Sequence, residues 1–301
     1  MMTPGLGWHR NLGARQMERD TDMLAEFLRL ARVAAAGWWN DRAMSLGASI
    51  AFFTLFSLAP MLLGAIYVAG LVFGPDVARG ALVGELGGLL GQEAGQSIEI
   101  MLTSAGDFGS GVVGTTIGLV TFLVLATGAF VEIQDSLNLI WKVQPSGLGV
   151  LGLLRTRLLS LALVVGIGFL LLVSLVIDAA VSAAGTYLES SVSGALALVQ
   201  ILNSAVSFVI AALLFAMIFK VLPAVPLHWR DVRTGALVTA LLFTLGKFLI
   251  GFYLGRSGVA SGYGAAASLV TVMLWIYYAA LILLFGAEFT KAYAETRGSR
   301  A

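Results

Sequence analysis

The chain has 301 residues, of which 58% are hydrophobic and only 12% charged, and its mean hydropathy is +0.92. That composition excludes a soluble globular domain, and the absence of cysteine excludes disulfides, thiolate catalysis and cysteine-held zinc or iron–sulfur centres. The formal net charge of +1 is no argument for nucleic acid, because the charges are segregated along the chain rather than gathered into one basic face. Long apolar runs recur along the whole sequence, where a cleaved signal peptide would give one short run near the start, so a polytopic membrane protein is expected.

Residues 1–20 read as a flexible tail and 21–42 as an amphipathic helix. Leu24, Phe27, Leu28, Ala31 and Ala35 recur at helical spacing, with Glu26, Arg29 and Arg32 on the other side. Thr21 or Asp22 can cap this helix, and Trp38 and Trp39 suit a membrane boundary. It is expected to lie on the cytoplasmic face as an orienting anchor, or alternatively as a docking surface for a partner.

Six segments, near 45–73, 112–140, 155–184, 196–221, 233–254 and 265–289, are long and apolar enough to cross a bilayer as helices. With a cytoplasmic N-terminus, 15 of the 18 basic residues lie inside, Arg79 and Arg256 lie outside, and Lys247 falls within the fifth span. The positive-inside rule therefore places both termini in the cytoplasm. The expected fold is all-α: a six-helix transmembrane domain over 43–294, with a short C-terminal tail at 295–301. The external loop, about 74–111, is acidic and glycine-rich. Pro75 can open a helix there, and Gly80, Gly84 and Gly88, four apart, can admit another backbone closely. The loop reads either as short helices capping the bundle or as a mobile gate.

Ionisable groups inside a bilayer cost roughly 2.5–3.5 kcal/mol each on insertion scales, so they mark candidate sites. On the second span Glu132 and Asp135 share one face, while Gln134 and Asn138 share another. A helix polar on two sides belongs in the middle of a bundle, where these groups either pair structurally, with Lys142, Arg155 or Arg157 within reach, or line a transport path. Lys247 either snorkels outward, pairs with Asp178 near the outer end of the third span, or meets an anionic headgroup. Glu288 closes the sixth span, with Lys291 one turn later. Pro60 removes a backbone donor from the first span and is expected to kink it, with Ser57 able to satisfy freed carbonyls. Gly114 with Gly118 and Gly251 with Gly255 are small-residue pairs at contact spacing.

"SLGASIAFFTLFSLAP" (45–60), "EIQDSLNLIWKV" (132–143), "LLFTLGKFLIGFYLG" (241–255) and "YGAAASLVTVMLWIYYAALILLFGAEFTKAYA" (263–294) together resemble the YihY/BrkB family of bacterial inner-membrane proteins, once labelled ribonuclease BN. The resemblance covers roughly residues 25–295. Two positions depart from it: Ala267 stands where glycine is expected, and Leu281 where a polar residue is frequent. The resemblance implies a six-helix inner-membrane protein, and with it serum resistance, cation/proton antiport or movement of phospholipid or lipid A precursors. The ribonuclease label finds no chemistry here, because only His9 and His228 are present and no His/Asp metal motif occurs. No enzyme, cofactor, metal or nucleic-acid partner is expected.

The leading expectation is a transporter or flippase of phospholipid or a related envelope amphiphile. The chain has no Walker A motif, so an ion gradient, a partner or the lipid gradient would drive it. One alternative is a cation/proton antiporter that uses Glu132 and Asp135. The other is a scaffold that recruits envelope machinery. The expected partners are membrane lipids, with cations or protons, a second copy of the chain or an envelope protein beside them.

Overall fold

A computed structural model describes residues 25–90, 99, 103, 128–143, 195–256 and 267–298, and every regular element among them is a helix. In chain order these are α1 (25–40), α2 (Ala43–Phe73), α3 (Pro75–Leu90), α4 (128–140), α5 (Ala195–Val221), α6 (Trp229–Arg256) and α7 (Ala267–Thr296). Four of the predicted spans coincide with α2, α5, α6 and α7, and α4 is the described part of another. The segment 155–184, with Asp178, lies outside the described residues, as do the tail at 1–20, residues 299–301, Gly114 and Gly118. α7 continues from the expected end at 289 to Thr296.

Ser204–Val221 and Leu269–Thr296 are each long and apolar enough to cross a membrane. α2 has 31 residues, about 47 Å at 1.5 Å per residue, against roughly 30 Å of hydrocarbon. Large apolar side chains point outward along several helices: Phe52, Phe53 and Phe56 on α2, Val209 and Leu213 on α5, and Leu237, Leu241, Leu245 and Leu249 on α6. In water such a surface would drive aggregation, whereas lipid tails cover it at no cost.

α7 is the central helix, packed against α2 on one side and α6 on another, while α5 packs on α6 and α3 on α2. The α6–α7 seam is made by two glycines and two threonines in reciprocal contact. A Cβ on Gly235 of α6 would lie 1.7 Å from Thr290 Oγ1, and a Cβ on Gly286 of α7 would lie 1.9 Å from Thr239 Oγ1. Each hydroxyl donates back to the glycine one turn earlier in its own helix, Thr239 to Gly235 O and Thr290 to Gly286 O, both at 2.7 Å. The polar atom is satisfied internally, so the side chain can press on the neighbouring helix as a plain knob. Farther along the bundle, the rings of Phe215, Phe243 and Trp275 join α5, α6 and α7 edge-to-face at 5.6 Å centroid spacings.

The turn from α2 to α3 depends on glycine at 74. Its φ of 87° lies in the left-handed region, and its N–H closes α2 on Gly70 O at 2.9 Å. Pro75 follows and occupies the first position of α3, where its missing N–H costs nothing. Arg79 of α3 donates to the Thr103 hydroxyl at 2.5 Å. Nothing among the described residues approaches Gly80 or Gly84 within 4 Å of a built Cβ. α2 runs on as helix through Pro60, and the Ser57 hydroxyl donates to Phe53 O at 2.7 Å.

α1 docks along the C-terminal half of α7. Leu30 and Ala34 are buried with Phe289 and Ala292, Phe27 lies against Phe289 with ring centroids 5.5 Å apart, and Glu26 pairs with Arg297 at 2.5 Å. The Trp38 indole donates to Leu281 O at 3.2 Å, and Leu281 itself presses on Gly47 of α2. Leu28 is 64% exposed and Trp39 71% exposed. The face that packs on protein is thus the one carrying residues 30 and 34, while part of the face read from apolar spacing points outward.

Candidate functional site

α4 carries its two polar faces into two different environments. Asn138 is 3% exposed, and its Oδ1 accepts the Ala224 backbone N–H at 2.8 Å. Gln134 Nε2 donates to Leu222 O at 3.0 Å. Both amides therefore hold the short connection between α5 and α6, whose backbone groups have no helical partner of their own. Lys220 pins the same connection from the other side: it donates to Leu227 O and sits 5.6 Å from the Trp229 ring centroid. One polar face of α4 is thereby accounted for by structure.

The other face holds Glu132, half-buried, and Asp135, exposed. The two are three apart, close enough for their charges to interact, and no ion pair joins either to a cation among the described residues. Lys142 ends α4 but reaches Asp41, in the turn between α1 and α2, rather than the carboxylates of its own helix.

That ion pair belongs to a second polar corner. Asp41 meets the Glu288 carboxyl of α7, and Glu288 in turn lies against Gly37, where a Cβ would come within 2.4 Å of Oε2. Asp41 Oδ2 and Glu288 Oε1 are buried without a donor. Lys291, the expected partner of Glu288, shares with it a cavity of about 300 Å³ lined also by Val33, Gly37, Asn40 and Glu295. Lys142 of the ion pair and Arg42, next to Asp41 in the chain, are the two non-glycine residues with left-handed backbone among the described residues, at φ 54° and 55°. Tertiary contacts hold them there against about 1–2 kcal/mol of steric cost each. Lys142→Met removes the cation from a corner with two carboxyls, and it is expected to lower stability by about 1–2 kcal/mol, discounted because the lysine is itself largely exposed. Thermal unfolding in detergent checks this, and Asp41→Asn combined with Lys142→Met should recover part of the loss.

On α6, Lys247 is half-buried and has no ion-pair partner among the described residues. Its neighbour Gly246 faces α7, where a Cβ would meet the Tyr278 hydroxyl at 2.5 Å. Among the described residues, no group of three or more His, Asp or Glu side chains is placed to hold a metal ion.

The sequence motifs that meet in this architecture are those of a known family: the model described as "Virulence factor BrkB" matches residues 34–301. The chain belongs to the BrkB family. Its relatives carry the name UPF0761 membrane protein. One from Verminephrobacter eiseniae is 32% identical over 251 residues, covering 80% of this chain and 56% of that protein. One from Chromobacterium violaceum is 28% identical over 298 residues, 97% of this chain and 67% of the relative, and one from Pseudomonas aeruginosa is 28% identical over 85% of this chain and 61% of the relative. The chain thus spans little more than half the length of several relatives it matches. No solved structure matches it. The BrkB chain is a membrane protein, and its relatives' names assign no enzymatic activity.

The seam residues Gly235, Thr239, Gly286 and Thr290, the Asp41–Glu288 contact and the docking of Gly37 were not apparent from polarity alone. The four-residue spacing of Gly235 with Thr239 and of Gly286 with Thr290 was the available signal, since small residues at that interval admit close helix contact.

Proposed function

We propose that this BrkB-family chain moves a phospholipid, or a related envelope amphiphile, across the bacterial inner membrane, as a six-span protein with both termini in the cytoplasm. The observation that carries this reading is the charge pattern of α6. Lys247 lies fourteen residues beyond Arg233 on the same helix, about 21 Å along the axis and only about 40° around it. One side of α6 therefore offers two cations about 21 Å apart, against roughly 30 Å of hydrocarbon. A phosphate headgroup passing between leaflets needs a cationic waypoint that no protein carboxylate has already neutralised. Lys247 meets that requirement among the described residues.

The test is transbilayer movement of fluorescent phospholipid in liposomes that contain the purified chain. Lys247→Ala and Lys247→Met are expected to slow movement to the rate of protein-free liposomes, with helix content and elution profile unchanged. Movement at the parental rate in both variants rejects the reading.

The acidic face of α4 favours a second reading, cation/proton antiport, because Glu132 and Asp135 face each other's charge with no cation paired to them among the described residues. It predicts cation flux driven by a pH gradient in the same liposomes, lost in Glu132→Gln and in Asp135→Asn. Flux that survives both substitutions excludes it.

A further inference from the structure

Arg230, Arg233, Thr234 and Leu237 of α6, with Tyr293 of α7, line an open cavity of about 260 Å³. Arg230 and Arg233 are three residues apart and so lie side by side on the first turns of α6. Both are exposed, and no ion pair engages either guanidinium among the described residues. The carboxylate nearest in sequence, Asp231, is 1% exposed and turned toward Gly298, where its Oδ1 would lie 2.4 Å from a built Cβ. It does not line the cavity. The Thr234 hydroxyl donates to Arg230 O at 3.1 Å.

Apolar surface begins where the cavity ends. Leu237 forms part of its wall, and Leu241, Leu245 and Leu249 continue from it at four-residue spacing, each more than half exposed. A cationic cup that opens onto an exposed leucine stripe fits a ligand with an anionic head and an apolar body. The cup itself is smaller than the roughly 300–1,000 Å³ of a pocket that engulfs a whole ligand, so only a headgroup belongs inside it.

We propose that this cavity binds the phosphate of an anionic phospholipid from the cytoplasmic leaflet, with the acyl chains lying along the leucine stripe of α6. Two guanidinium forks suit the tetrahedral phosphate oxygens by bidentate hydrogen bonding, which ammonium groups match less well. Basic residues at the membrane surface add long-range attraction to an anionic leaflet. Taking the cavity as the place where the transported lipid first docks rests on the proposed function; the binding itself requires only that the protein sit in a membrane.

The test counts lipid adducts on the purified full chain by native mass spectrometry, with phosphatidylglycerol, phosphatidylcholine and inorganic phosphate as probes. Phosphatidylglycerol is expected to bind in preference to phosphatidylcholine. The Arg230→Gln/Arg233→Gln double variant is expected to weaken phosphatidylglycerol binding by about tenfold or more, and Arg230→Lys/Arg233→Lys to restore only part of it. Inorganic phosphate at millimolar concentration should not displace the lipid. Equal binding by the glutamine variant, or equal binding of the two lipids, overturns the site. Displacement by inorganic phosphate alone overturns the lipid assignment and leaves a soluble anion as the ligand. Phosphatidylglycerol binding that depends on the two arginines, together with no lipid movement above the rate of protein-free liposomes, rejects the transport reading alone.

Discussion

Gly286→Val is expected to lower the stability of the helix bundle by about 3 kcal/mol or more, toward the upper end of what overpacking costs. A Cβ at 286 would meet Thr239 Oγ1 at 1.9 Å and Thr239 Cβ at 2.9 Å. Rotating the threonine cannot clear both atoms, because Cβ does not move with χ1. α6 and α7 must separate, and in a bilayer no hydrophobic driving force between the helices compensates for lost packing, since lipid tails are as apolar as the helix faces. The reciprocal contact of Thr290 with Gly235 lies on the same seam, so the separation would open both. Thermal unfolding in detergent is the measurement. Thr239→Ala alone should cost about 1 kcal/mol or less, and Gly286→Ala/Thr239→Ala should be more stable than Gly286→Ala, although not fully restored because the residual Cβ remains tight. Gly286→Val melting with the parent would remove this seam from the account of what holds the bundle together.

Asn138→Leu is expected to cost about 1–2 kcal/mol, because it leaves the part-buried backbone N–H of Ala224 without its acceptor. Leucine branches at the same carbon as asparagine but is bulkier, so part of the loss is overpacking and the rest is the hydrogen bond to Ala224 N–H. Gln134→Leu, at a half-buried site with a bond to Leu222 O, should cost less, about 0.5–1.5 kcal/mol. The double variant should lose less than the sum, because both amides hold one connection and the second loss falls on a loop already released. Additivity of the two would show that the connection does not move as a unit. Because these residues only brace the loop, neither single substitution should abolish lipid movement or ion flux beyond the effect of lower stability.

The two faces of α4 show what could be read in advance and what could not. Period alone placed Glu132 with Asp135 and Gln134 with Asn138, because helix geometry follows from residue spacing. That Gln134 and Asn138 spend their polar groups on residues 222–224, some ninety positions away, was not legible, since nothing local encodes a contact at that separation. Lys142 is similar. Its place at the end of a helix was apparent, but its partner Asp41 was visible only once the α1–α2 turn had been brought beside α4. For α1, spacing identified a helix yet did not identify its packed face. In a membrane protein the surfaces that meet lipid and those that meet protein are both apolar, so Leu28 and Leu30 are indistinguishable by type although one is exposed and the other buried.

By itself, the sequence determined that this is a helical membrane protein, roughly where its described helices begin and end, that it contains no cysteine, and, through its motifs, the BrkB family to which it belongs. These are consequences of composition, of the bilayer's demand that every backbone polar group be satisfied within a helix, and of local spacing. Only the tertiary structure decided which glycines bring α6 and α7 together, that Glu288 meets Asp41, and that two arginines of α6 and a tyrosine of α7 share one cavity. Those pairings depend on how apolar helices pack against one another, and packing selects among faces of nearly equal hydrophobicity by shape, a property carried by the assembled helices rather than by any one of them.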